Sequence, residues 1–110
     1  MSNKSLDEDL KALVIGYQSA RSAYIAEQYL DALVAKSTPE NFEAIIEQMH
    51  LHPKVTELDY SMYICDIASP DFKGLLPIIA EFRKSFKDKD AIEDLDDAEV
   101  KIAGGTPPVR

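Results

Sequence analysis

LDEDLKALVIGYQSARSAYIAEQYLDALVAK, from Leu6 to Lys36, is the longest proline-free stretch with helical periodicity, and the fold turns on how it is read. Ser5 stands three residues before Glu8, the S-x-x-E spacing in which each side chain satisfies the other residue's unpaired backbone N–H, so a helix is expected to start here. Leu6, Leu10, Leu13, Val14, Tyr17, Ala20 and Tyr24 recur at three- and four-residue steps and share one stripe at about 100° per residue. Beyond Tyr24 the stripe changes sides. Ala26, Tyr29, Leu30 and Leu33 fall nearly opposite, and Glu27, Gln28 and Asp31 take over the former apolar direction.

An unbroken helix over this stretch would be roughly 45 Å long at 1.5 Å per residue, against a radius of gyration of about 13 Å for a compact chain of this size. Either the helix breaks between Gly16 and Ser22, or it stays whole and its two halves meet different partners. The helix-forming Ala20, Ala23 and Ala26 and the absence of proline favour a long, whole or mildly kinked first helix. Its opposed stripes make Tyr17, Tyr24, Tyr29 and Leu33 the candidate interaction residues.

Outward from this stretch, Ser37-Thr38-Pro39-Glu40 restarts a helix, since Ser or Thr caps, proline suits the first helical position and an acid follows. Phe42, Ile45, Ile46 and Met49 then form a one-sided stripe that ends around His50 to His52, before Pro53. The segment Lys54 to Ala68 fits either period: Leu58, Tyr60, Met62 and Ile64 alternate as in a strand, and Val55, Leu58, Met62 and Cys65 mark a helical face. No second strand-like run exists to pair with it, so helix is the expectation. Ser69-Pro70-Asp71 caps a further helix, with Phe72, Leu75, Leu76, Ile79, Phe82 and Phe86 on one face and Pro77 demanding a kink or a short preceding turn.

From Asp88 the composition changes. Asp88, Asp90, Glu93, Asp94, Asp96, Asp97 and Glu99 meet only Lys89 among the bases, and GGTPPVR closes the chain. The expected organisation is all-α: a small four-helix bundle-like domain in residues 1–87 with a long first helix, followed by an acidic, flexible, Gly/Pro-ended tail in residues 88–110.

Length and a 45 % hydrophobic content fit one folded domain. Twenty acids against twelve bases give a net charge of −8, which repels phosphate backbones, so no nucleic-acid partner is expected. Arg83, Lys84, Lys87 and Lys89 read as the cationic complement to a helix end. No run approaches the roughly 20 apolar residues of a membrane span. Cys65 is the one cysteine and no secretory pattern is visible, so a cytoplasmic setting is expected.

Chemistry is sparse. Asp88, Asp90 and Glu99 match three positions of a calcium loop, but Ile92 and Glu93 stand where a ligand and the turn glycine belong. His50 and His52, with Glu47 one turn earlier, are weak metal candidates whose spacing is not that of a zinc site. Cys65 shares a face with Leu58 and Met62 and reads as a core residue. No nucleophile elbow, P-loop or dinucleotide fingerprint is present. No catalytic residue and no cofactor are expected.

Leu95, Glu99, Val100, Ile102, Gly104 and Gly105 form a segment that resembles the double-glycine leader of bacteriocins and other ribosomally made, modified peptides. The resemblance implies cleavage after Gly105, although one residue is missing between Glu99 and Ile102 and only Thr106 to Arg110 would be released. The leading expectation is a non-catalytic helical protein acting through protein–protein contacts, with an unidentified protein partner and a homo-oligomeric state. A leader-bearing precursor is the alternative, and a small metal-binding protein using His50 and His52 comes third.

Overall fold

The computed structural model describes residues 8–52 and 54–107, and these form α-helices joined by short connections, with no strand among them. The helices are α1 (Glu8–Ser19), α2 (Ala23–Lys36), α3 (Phe42–His50), α4 (Glu57–Ile67), α5 (Leu75–Ser85) and α6 (Lys89–Ile102), with a 3-10 turn at Pro70–Phe72. The all-α expectation therefore holds, and among the described residues six helices stand where four were expected. Two compact units divide the chain, Met1–Val55 and Thr56–Arg110. The expected boundary at residue 87 falls between α5 and α6, inside the second unit.

In the first unit the long helix is two. The chain leaves helical geometry at Ala20, and Ser22 caps α2 in extended backbone, its hydroxyl accepting from the Ile25 N–H at 3.2 Å. The physical reason lies in the two stripes. A straight helix would point Leu10 and Val14 away from Leu30 and Leu33, whereas a hairpin of α1 and α2 buries all four. Burying each such side chain contributes about 1.5–3 kcal/mol, and the helix propensity forgone at three turn residues is at most about 0.7 kcal/mol apiece. Gly16 marks the close approach, since a Cβ there would run into the Tyr29 ring. The expected cap at Ser5 and the first stripe residue Leu6 lie outside the described residues.

Between α2 and α3, Thr38 and Asn41 cap each other: the Thr38 N–H donates to Asn41 Oδ1 at 2.8 Å and the Asn41 N–H to Thr38 Oγ1 at 3.1 Å. Asn41 Nδ2 also donates to the Lys36 carbonyl at 3.0 Å, tying the end of α2 to the start of α3. Phe42, Ile45, Ile46 and Met49 are buried, as their spacing predicts.

In the second unit the ambiguous segment is the helix α4, opened by a capping box in which Thr56 and Asp59 exchange hydrogen bonds of 2.9 and 3.1 Å. Its core face is Tyr63, Ile64 and Ile67, while Met62 is exposed. The short turn expected before α5 is the 3-10 turn, and Pro77 is the third residue of α5, where an N–H would have no intrahelical acceptor. Leu75 and Ile79 are buried, Leu76 is exposed, and Phe82 stacks on Phe86 with ring centroids 4.9 Å apart.

The flexible acidic tail expected from residue 88 onward is, from Lys89 to Ile102, the helix α6, packed along α4 and α5. Ala91, Leu95, Ala98 and Ile102 form its buried stripe. Two of the four are alanines, which supply little hydrophobic signal in sequence but let helices approach closely. Asp88 caps the helix by accepting from the N–H groups of Asp90 and Ala91, and acids in the first turn suit the macrodipole. Arg83 holds the outer face through Asp96 at 2.6 Å and Glu99 at 2.7 Å. Glu57 Oε1 accepts from the N–H groups of Lys87 and Asp88, both at 2.8 Å, fixing the connection into α6.

Candidate functional site

Three places in the fold carry the residues that the sequence singles out. The first is the α1–α2 hairpin. Leu33 belongs to its core and Tyr17 and Tyr29 are half-buried, so of the four candidate interaction residues only Tyr24 stands clear, 71 % exposed. Beside it Ile25 is 40 % exposed, and Ile15 on α1 is 49 % exposed. Isolated apolar residues on a surface need no explanation. A tyrosine and an isoleucine in succession, both exposed in the first turn of α2, form a small continuous apolar tip. Periodicity placed Tyr24 on a stripe and left Ile25 off both stripes; only the turn at Ala20 to Ser22 puts the two at the start of a helix.

The second place is the end of α1, where a cavity of about 420 Å³ is lined, among the described residues, by Gln18, Ser19, His52 and Lys54. Gln18 Nε2 and His52 Nε2 are each buried without a hydrogen-bond partner among the described residues. His50 and Glu47 are exposed on α3. No group of three or more His, Cys, Asp and Glu side chains gathers closely enough to hold a metal ion among the described residues. Nothing in the sequence marks Gln18, which sits among polar residues off the first stripe; its burial depends on the loop that brings His52 beside the end of α1.

The third place is the α4–α6 pair. Cys65 is half-buried, and burial pushes its thiol above the ordinary range, the Lys101 ammonium opposing that shift and Asp94, Asp66 and Asp97 adding to it. Such a thiol is a poor nucleophile at neutral pH. Lys101 Nζ donates to the Cys65 carbonyl at 2.7 Å, which places the lysine on the end of α4. The buried Ser61 hydroxyl lies 3.1 Å from Asp94 Oδ2 and 3.0 Å from the Leu58 carbonyl. Burial raises the Asp94 carboxyl above the usual range; the Ser61 hydrogen bond opposes this and the neighbouring Asp97, Asp90 and Glu93 reinforce it.

Gly104 and Gly105, the possible processing site, close α6. The Gly104 N–H donates to the Lys101 carbonyl at 3.0 Å and the Gly105 N–H to the Val100 carbonyl at 2.9 Å, with Gly104 at φ +89°. This is a Schellman cap, which accounts for a glycine at position 104 on conformational grounds. Among the described residues no helix is long and apolar enough to cross a membrane. No family model matches the chain, and neither a curated protein nor a solved structure matches it.

Proposed function

We propose that this chain is a non-catalytic helical interaction module that associates with a second copy of itself through the hairpin tip at Tyr24 and Ile25. The observation that carries the reading is the exposure of these two adjacent apolar side chains at the start of α2. A tyrosine joins a large apolar face to a polar end and suits a surface that is wet in one state and covered in the other. In the second unit Asp94, Asp96 and Glu99 are engaged by Ser61 and Arg83, and burial raises the Cys65 thiol, which weakens it as a nucleophile. Sedimentation from low micromolar to millimolar concentration tests the proposal. Self-association is expected for the wild type and is lost in Tyr24→Ser/Ile25→Ser, which melts at the same temperature; a strict monomer at the highest concentration overturns the reading.

The runner-up, processing after Gly105, rests on the resemblance of residues 95–105 to double-glycine leaders. A protease that takes an extended backbone has to open the Schellman cap before cutting. Mature chains from the native cell ending at Gly105 would support it, and chains intact through Arg110 would end it.

A further inference from the structure

Ser61 is fully buried, and its hydroxyl meets two acceptors: the Leu58 carbonyl of its own helix at 3.0 Å and Asp94 Oδ2 on α6 at 3.1 Å. A hydroxyl carries one hydrogen and cannot donate to both. When Asp94 is ionised it can only accept, so the hydrogen goes to the carboxylate, where a charge-assisted bond is about twice as strong as a neutral one. The Leu58 carbonyl is then left with its helical N–H. When Asp94 is protonated its O–H donates to Ser61 Oγ, and the serine hydrogen turns back to the Leu58 carbonyl, the ordinary bond of a serine within a helix. Two neutral bonds replace one charged bond, and the hydrogen bonds nearly balance.

We propose that Ser61 and Asp94 form a proton-reversible contact between α4 and α6: the carboxylate accepts from the serine hydroxyl, the carboxylic acid donates to it, and the hydroxyl turns to the Leu58 carbonyl as the proton arrives. Burial and charge decide where the change falls. Asp94 is half-buried, and Asp97, Asp90 and Glu93 on its own helix disfavour a further negative charge, so its carboxyl keeps the proton above the ordinary range although the Ser61 bond opposes this. On α4, Cys65 feels Asp94 together with Lys101, Asp66 and Asp97, and its raised thiol stays neutral in acid. Lys101 is held on the Cys65 carbonyl, and the Glu57 carboxylate on the N–H groups of Lys87 and Asp88. Of the other elements packed on α6, the 3-10 turn carries Asp71, which is exposed, and α5 carries Arg83, which is bound to Asp96 and Glu99. The contact is therefore protonated in acid and reverses as pH rises through the folded value of Asp94.

The test is a titration of the ¹³C,¹⁵N-labelled full chain from about pH 3 to about pH 8, following the Asp94 carboxyl carbon and the Leu58 carbonyl carbon. Asp94 should titrate above the ordinary aspartate value of about 3.9, and the Leu58 resonance should shift with the same midpoint. Ser61→Ala keeps the charge and removes the hydroxyl, and alanine suits both the buried space and the helix. In that variant Asp94 still titrates, while the Leu58 shift at its midpoint is lost. Asp94→Asn always offers an amide N–H to Ser61, so Leu58 should stay at its acid position across the range. The proposal is overturned if Leu58 does not follow Asp94, or if it still follows in Ser61→Ala, where only the field of the charge acts. It is overturned equally if Leu58 in Asp94→Asn sits at the neutral-pH position, or if Asp94 titrates at or below the ordinary value, since burial and the neighbouring acids would then not govern the proton.

Discussion

Gly104 leaves the right-handed half of conformational space, and the end of α6 depends on its doing so: with φ at +89° its own N–H and that of Gly105 turn back onto the Lys101 and Val100 carbonyls. A Cβ at position 104 would meet no neighbour, so the cost of Gly104→Ala is conformational and amounts to roughly 1–2 kcal/mol. Gly105→Ala has no such backbone strain, but its Cβ would sit 3.0 Å from Val100 Cγ1, which a small shift of the isopropyl group relieves. Urea melts should show the larger loss at 104, with unchanged slope; equal losses would mean that the cap does not hold the helix. Asp94 gives a second prediction at this scale. Its folded carboxyl is raised above the ordinary value, by burial first and by Asp97, Asp90 and Glu93 next, so between the unfolded and folded values the native state holds the extra proton. Its contribution to stability is full below the unfolded value and is lost as pH rises through the folded one. Asp94→Asn keeps a partner for Ser61 and cannot ionise. It should stabilise the protein at pH 7 by about 0.5 kcal/mol, a small figure because solvent screens a side chain that is far from fully buried. The gain should vanish at low pH, and a gain independent of pH would rule out ionisation as its cause.

The elements differ in how far they could be read in advance. α3 follows a polar restart with large residues at three- and four-residue steps, so its existence and buried face were both legible; α4 fitted a strand period as well, was reached for want of a partner strand, and of its two expected faces buries only Ile64 and Ile67. The hairpin was half legible. Its face switch was plain at Tyr24, but the choice between bending the helix and covering two faces depends on tertiary burial, which the propensities of Ala20 and Ala23 do not report. Gly16 was the missed clue, a small residue whose use is to admit the Tyr29 ring. Gly16→Ala should cost about 1–3 kcal/mol through overpacking, and Tyr29→Ala in the same chain should recover most of that loss; no coupling between the two would place the contact outside the native packing. α6 was least legible because its dense acids mimic a solvated tail while two of its four core residues are alanines. A chain truncated after Lys87 should accordingly lose the fold of the second unit. Its amide resonances from Thr56 to Ser85 should collapse to the dispersion of an unfolded chain, and retention of dispersed signals for Tyr63 and Ile79 would show that α4 and α5 fold without α6. His52 was marked in advance only as a weak metal candidate, and Gln18, far from it in sequence, carried no advance signal.

At the scale of the molecule, charge and apolar surface act against each other. A net charge of −8 makes copies of the chain repel, while the exposed Tyr24 and Ile25 favour their association. The charge is uneven: residues 1–55 hold eight acids and five bases, a net of −3, and residues 56–110 hold twelve acids and seven bases, a net of −5. The hairpin tip thus lies in the less repulsive unit. Salt separates the two forces, because raising ionic strength from 0.01 to 0.15 M shortens the Debye length from about 30 to about 8 Å and screens repulsion, while apolar burial is little affected. If association runs through Tyr24 and Ile25, the dissociation constant should fall at least about threefold over that range. An interface built on ion pairs, such as the acidic face of α6 against Arg83 or Lys84 of another copy, would respond in the opposite direction. Sedimentation at the two ionic strengths, with Tyr24→Ser/Ile25→Ser as the control, gives the sign directly: tighter association with salt in the wild type alone fits the apolar tip, and looser association assigns the contact to the charges of the second unit.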